Sequence, residues 1–305
     1  MRDSTKGVLA ALSMAFIIGF SFSGNKVALR TALPFAILAH RFTLAFLAMT
    51  LLRLCKVLPW TLSLGEMKKL LPMTLFYPLG FFSFQILGLS RVDSALSAIL
   101  QAIIPVLTMV FASIFLKERT TLLQKGFVLV SFFGILLIAF SEGATLKDAT
   151  LLGVGLLFLS SISSAGNYIL VRKFAKDYGF QKITYMALLM GFLVFNGLHL
   201  YSLLTKGILS SYFSPWQTPS FAMALIFLAI PATLLSSLLT NYALLYLPAS
   251  RMSIFNYLAT FLSILAGVLF LQETLSWHQI LGSFFLLLGV LGLNLAQSFS
   301  SKKYP

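Results

Sequence analysis

Arg41 is the residue of this sequence that most needs an explanation. It stands beside His40 in an apolar stretch, 34–54, several residues from either end. A guanidinium near the centre of a bilayer costs about 2.5–3.5 kcal/mol on insertion scales. It therefore snorkels to an interface, bonds to carbonyl oxygens, or anchors an acidic ligand such as a carboxylate or phosphate. The sequence leaves the structural and the ligand-binding readings open. Amides form the second group that could do chemistry: Asn25, Gln101, Asn167, Asn241 and Asn256 all stand within apolar runs. Tyr77, Tyr168 and Tyr242 stand near them in the same kind of run. An amide both donates and accepts hydrogen bonds, and an aromatic neighbour adds an apolar wall. Together they suit a small polar metabolite or zwitterion.

Helical spacing gathers several of these groups on common faces. Ser94, Ser97, Gln101, Pro105 and Thr108 form one stripe, and Ser253, Asn256, Thr260, Ser263 and Gly267 form another. Further faces carry Tyr77, Phe81, Phe84 and Gln85; Ser160, Ser164, Asn167 and Tyr168; and Thr233, Ser237, Thr240 and Asn241. Polar residues in hydrocarbon mark the side turned toward protein or water. Isolated serines and threonines there also act as packing glue between helices, at about 0.6 kcal/mol per hydrogen bond. The expected substrate path comprises Asn25, Arg41, Tyr77, Gln101, Asn167, Tyr168, Asn241, Tyr242, Asn256 and Thr260.

Other chemistries are poorly supplied. The eight acids are Asp3, Glu66, Asp93, Glu118, Glu142, Asp148, Asp177 and Glu273, all in expected loops, tails or helix ends. A proton relay through a carboxylate at mid-membrane is therefore disfavoured, and Glu118 and Glu273 are expected to cap helices or pair with loop cations. The three histidines fall in no His-Glu-x-x-His pattern, no Gly-x-Ser-x-Gly elbow occurs, and Cys55 is the single cysteine. Neither a metal, a cofactor nor a catalytic role is expected, although an intramembrane enzyme or a channel remains the alternative to a carrier.

The elements that must position these residues follow from composition. Of 305 residues, 59% are hydrophobic and 10% charged, far below the roughly 25% charged of soluble domains. Lipid must do much of the solvating, and spanning segments in lipid are helices or closed barrels. The apolar runs are too long for barrel strands. Ten helices are expected near 7–30, 34–54, 70–89, 92–116, 124–141, 151–171, 182–205, 220–246, 249–271 and 277–297. The net charge of +14 is no nucleic-acid footprint. With the N-terminus in the cytoplasm, the inside segments hold sixteen basic residues and the outside segments five, so both ends are expected in the cytoplasm of a multi-pass cell-membrane protein.

The chain also repeats itself. A shift of 155 residues lays Phe115-Leu116-Lys117-Glu118 over Phe270-Leu271-Gln272-Glu273, Gln101 over Asn256 and Pro105 over Thr260. A shift of 142 lays Gly24-Asn25 over Gly166-Asn167 and Arg30 over Arg172. Two halves, 1–145 and 149–305, then hold five helices each. Five is odd, so the second copy enters the bilayer upside down, the arrangement that alternating-access carriers use. The glycines at 126, 134, 282, 289 and 292 are expected in close helix contacts of the fifth and tenth spans. The substrate's identity and the oligomeric state cannot be read from these residues.

The ordered set of Gly24-Asn25, His40-Arg41-Phe42, the stretch from Asp93 to Ala98 leading to Pro105, and Phe115 to Arg119 followed by Gly126 and Gly134 resembles the EamA family of the drug/metabolite transporter superfamily. The resemblance extends over both halves. It implies an all-α integral membrane fold of ten transmembrane helices in two inverted repeats, a central cavity, and transport of small metabolites, often export of amino acids or related compounds. The family pattern is broken at Pro248-Ala249-Ser250, which stands where the first half has Asp93-Ser94-Ala95.

Overall fold

The computed structural model describes residues 3–58, 60–117, 148–277 and 280–285 without interruption, and 121–123, 126–127, 129–130, 133–134, 137, 287–289 and 292 besides. Among these residues eight helices are long and apolar enough to cross a bilayer: Thr5–Leu29, Pro34–Leu54, Leu64–Leu89, Ser94–Phe115, Leu151–Tyr178, Phe180–Thr205, Pro219–Tyr246 and Ala249–Leu271. They are the first to fourth and sixth to ninth of the ten expected spans. The fifth and tenth runs fall partly outside the described residues, and the residues described within them are helical. Gly292 lies so close to Phe127 that a Cβ there would stand 2.1 Å from the ring. The rings of Phe133 and Phe285 are 5.6 Å apart. The fifth and tenth runs therefore pack on one another, with a glycine at the contact.

The third span begins six residues earlier than the apolar window suggests, because Ser63 and Glu66 form a capping box. The Glu66 amide donates to Ser63 Oγ at 3.2 Å, and the Ser63 amide donates to Glu66 Oε2 at 2.8 Å. This pairing stabilises a polar first turn that hydropathy overlooks. The sixth helix likewise runs longer than expected, over Asp148–Tyr178.

Local geometry repeats with the sequence. The third span contains a π-helical stretch, Leu75–Gly80, and the eighth contains another, Ile230–Leu235, at the 155-residue shift. Lys117 and Gln272, related by the same shift, both adopt a left-handed backbone with φ 55°. That conformation closes the preceding helix, and the Glu273 amide donates back to the Gly267 carbonyl at 3.2 Å. The repeated Phe-Leu-x-Glu is thus a helix stop whose third residue turns left-handed.

Packing between the halves is reciprocal. The first span contacts the eighth and the third contacts the sixth; the second pairs with the seventh; the fourth touches the sixth as the ninth touches the first. Ser94–Gln101 packs on Asn256–Leu271, while Ile104–Phe115 packs on Ala249–Ser253. The start of each helix thus meets the end of the other, so the fourth and ninth spans run antiparallel. The two repeats are inverted. Large apolar side chains on the outer faces, such as Leu47, Leu51, Leu204 and Phe270, are exposed and suit contact with lipid.

Candidate functional site

The second span starts with Pro34 at its first turn, where the missing N–H costs nothing. Arg41 follows seven residues on, about 10 Å along the axis. Its side chain turns inward and is 2% exposed. Nε donates to Thr233 Oγ1, Nη1 to Asn25 Oδ1 at 3.3 Å and Nη2 to the Ala232 carbonyl at 3.3 Å. The guanidinium carbon stands 4.6 Å from the centre of the Phe82 ring, a cation–π distance. Every one of these partners is neutral.

Local structure prepares each acceptor. Ala232 and Thr233 belong to the π-helical stretch of the eighth span, where the altered turn makes main-chain oxygen available to a side chain. Asn25 donates its Nδ2 to the Ser21 carbonyl at 2.9 Å, which aims Oδ1 at Arg41. The matching π-helical stretch of the third span leaves helical geometry at Tyr77, with φ −143° and ψ 117°. Tyr77 thereby reaches across to the eighth span, its hydroxyl 2.7 Å from Ser237 Oγ. A Cβ at Gly80 would stand 2.8 Å from both Leu75 O and Ser163 Oγ, so the glycine lets the third and sixth spans close on each other.

A second polar group is drawn from the third and fourth spans and from the sixth to ninth. Gln85 Nε2 donates to Gln101 Oε1 at 3.2 Å, and Gln101 Nε2 donates to Ser160 Oγ at 3.3 Å. Ser160 in turn donates to the Phe81 carbonyl at 3.0 Å. The Tyr168 hydroxyl lies against the Asn256 amide, 3.1 Å from Nδ2 and 3.3 Å from Oδ1. Asn241 donates to Thr184 Oγ1 at 2.9 Å. Asn167 is 4% exposed, and its Oδ1 accepts no hydrogen bond.

These groups enclose one cavity of about 70 Å³, space for roughly five waters. Of the expected path residues, Arg41, Tyr77, Gln101, Asn167, Tyr168, Asn241 and Asn256 all line it. Seven spans contribute to the wall, drawn from both repeats. Arg41 is the one charged side chain among the described lining residues.

Three expected residues lie elsewhere. Asn25 stands behind Arg41 and supports it. Tyr242 packs its ring against Phe180 and Tyr246, at 5.2 and 5.1 Å between centroids. Thr260 borders a separate apolar void of about 20 Å³ with Ile99 and Phe261, and its hydroxyl donates to the Asn256 carbonyl at 2.9 Å. Sequence reasoning passed over Ser21, Phe82 and Ser236, which also line the main cavity. Ser21 and Ser236 sit on the helix turns next to Asn25 and Thr233, a spacing that could have found them; nothing in the sequence marks Phe82 among 30 phenylalanines.

Charged contacts tie the repeats together at both ends of the bundle. At one end Glu273 accepts from the amides of Ser94 and Ala95 at 2.9 and 2.8 Å and from Ser94 Oγ at 2.7 Å. A carboxylate of the second repeat thus caps a helix of the first, while Asp93, at the N-cap position itself, makes no side-chain cap bond. At the other end Lys182 bonds Glu66 across the repeats, while within the second repeat Arg172 donates to the carbonyls of Leu244 and Leu245 at 2.7 and 3.1 Å. Glu273 therefore plays the capping role expected of it, whereas Glu118 lies outside the described residues.

A model of the EamA-like transporter family matches residues 5–140 and 151–295. The chain is 38% identical over 302 residues to "Uncharacterized transporter YcxC" of Bacillus subtilis (strain 168), covering 99% of this chain and 97% of that one. It is 26% identical over 285 residues to an "Uncharacterized transporter" of Archaeoglobus fulgidus, covering 93% of this chain and 97% of the relative. A crystal structure described only as that of a protein matches the fold with a TM-score of 0.70 at 14% identity, over 97% of this chain and 99% of its own.

Proposed function

We propose a carrier mechanism from one premise: the chain belongs to the EamA-like transporter family, and it is a multi-pass membrane protein. In our reading it moves a small polar metabolite, with amino acids and related compounds as the class the family resemblance suggests, by alternating access. The observation that carries the proposal is the cavity at the crossing of two inverted repeats, lined by Arg41 and by buried amides and tyrosines. Residues from both repeats line it, and cross-repeat contacts seal the bundle at both ends.

The two halves, 1–145 and 149–305, are taken as the units that rock. Residue 145 itself lies outside the described residues. The bias of basic residues places both termini in the cytoplasm. The Glu66–Lys182 contact then belongs to the inner gate and the Glu273 cap to the outer one. Beside Glu273 a recess of about 450 Å³ is lined by Lys26, Arg30 and Asp93, which suits an outer vestibule. Breaking one gate while keeping the other would open the cavity to one side at a time. Arg41, Tyr77, Gln101, Asn167, Tyr168, Asn241 and Asn256 form the proposed substrate path, with Asn25 positioning Arg41. The reading assigns no catalytic step to this chain.

Purified chain in liposomes, loaded with a mixture of labelled amino acids and related polar metabolites, tests the proposal. A carrier gives saturable flux that is accelerated by the same solute on the far side. Flux that never saturates would make the chain a channel, and a chemically altered solute would make it an enzyme.

A further inference from the structure

We infer that the cargo is a small carboxylate of net charge −1 whose acid group docks on Arg41, a proposal that rests on the carrier reading. Charge balance is the starting point. Arg41 brings one positive charge into a cavity whose described lining contains no acid, and its partners are a threonine hydroxyl, an amide oxygen, a main-chain carbonyl and a phenyl ring. These neutral groups orient the guanidinium without cancelling its charge.

A guanidinium carries five N–H donors. Three are engaged here, which leaves one N–H on each terminal nitrogen for a ligand, and a carboxylate has two oxygens to accept them. Such charge-assisted pairs are about twice as strong as neutral hydrogen bonds. A dianionic phosphate would bring a second negative charge that meets no second cation in the lining. A zwitterion would bring an ammonium that meets no anion. One negative charge on the cargo balances the one positive charge of the described lining.

Asn167 adds a second, independent demand. Its buried Oδ1 is an acceptor without a donor, at the wall of the same cavity. A buried acceptor left unpaired is costly, so the cargo is expected to supply a neutral O–H or N–H. Hydroxy acids and N-acyl amino acids meet both conditions.

The test uses the full-length chain in detergent and reads ligand-induced thermal stabilisation at constant ionic strength. The probes are L-lactate, 3-phenyl-L-lactate and N-acetyl-L-alanine, each beside its uncharged amide, with L-alanine, L-phenylalanine and glycerol 3-phosphate for comparison. At least one carboxylate should bind about 10- to 100-fold more tightly than its amide. In Arg41→Gln that ratio should collapse toward one, and a ratio does not depend on how much protein is folded. Should Arg41→Gln fail to accumulate, Arg41→Lys keeps the charge without the fork, and it should still prefer the carboxylate while binding it more weakly.

Equal binding of carboxylate and amide, tighter binding of glycerol 3-phosphate, or an unchanged ratio in Arg41→Gln would overturn the inference. So would an Arg41→Lys protein that prefers the amide. Binding of the zwitterions in place of the monoanions would overturn it while leaving the carrier reading standing. No binding by any probe, together with no flux of any solute in liposomes, would remove both.

Discussion

Glu273→Ala isolates the cap that holds the fourth span to the second repeat. Three donors lose their acceptor: the amides of Ser94 and Ala95 and the Ser94 hydroxyl. Asp93 makes no side-chain cap bond that could replace them. Losing an N-cap costs about 0.5–2 kcal/mol, and losing a negative charge at a helix N-terminus costs about 0.3–1 kcal/mol. The site is only part-buried, so water recovers some of this, and a total of about 2 kcal/mol is expected. At about 1.4 kcal/mol per tenfold, local opening at the start of the fourth span should rise roughly 30-fold. Amide hydrogen exchange of a peptide covering residues 93–97 reads this directly, with the seventh span as an internal control. Glu273→Gln keeps an oxygen acceptor and loses the charge, so its effect should be smaller. Gly267→Ala should imitate Glu273→Ala by another route, because its Cβ would stand 2.5 Å from Glu273 Oε2 and push the carboxylate away. Unchanged exchange in both Glu273→Ala and Gly267→Ala would refute the capping argument.

Other perturbations follow from the same geometry. Gly191→Ala should lower the melting point by an amount equivalent to about 1–3 kcal/mol, since its Cβ would stand 2.2 Å from the ring of Phe42, which is fully buried; normal melting would mean that the second and seventh spans separate freely. Thr233→Val removes the acceptor of Arg41 Nε and should cost about 1–3 kcal/mol, measured as a drop in thermal stability, whereas a neutral outcome would show the guanidinium is held without it. Reporters placed near Leu64 and near Ser214 should lie in the cytoplasm and outside respectively; the same side for both would contradict the assigned topology.

Apolar run length and the repeat were both readable from the sequence because each rests on a period: about 20 apolar residues per span and one recurrence at 155 residues. The polar stripes were readable only in part. Reading Ser253, Asn256, Thr260 and Ser263 as one face assumes an unbroken helix, but the α-helical segments stop at Ser253 and resume at Asn256. The break sets only Ser253 apart; beyond it Asn256 faces the cavity, and Thr260 and Ser263, about 6 and 10 Å further along the same helix, lie past it, Thr260 by the apolar void and Ser263 donating to the Gly19 carbonyl at 2.6 Å. Tyr242 and Tyr168 each follow an asparagine by one residue, yet Tyr168 turns to Asn256 at the cavity while Tyr242 packs between Phe180 and Tyr246, a difference that tertiary packing makes and the shared spacing does not show. The inward turn of Arg41 is met by a π-helical stretch in the other repeat, and no local pattern in the sequence announces that partner.

In the carrier proposed above, one cavity is reached from each membrane face in turn. A single cysteine at position 164, as Ser164→Cys in a Cys55→Ser background, places a thiol on the cavity wall. Labelling by a membrane-impermeant reagent is then measured from each side of oriented vesicles. Labelling is expected from both sides, with Glu273→Ala raising the outer rate and lowering the inner one. Reaction from one side alone under every condition, or equal gains on both sides in Glu273→Ala, would contradict it.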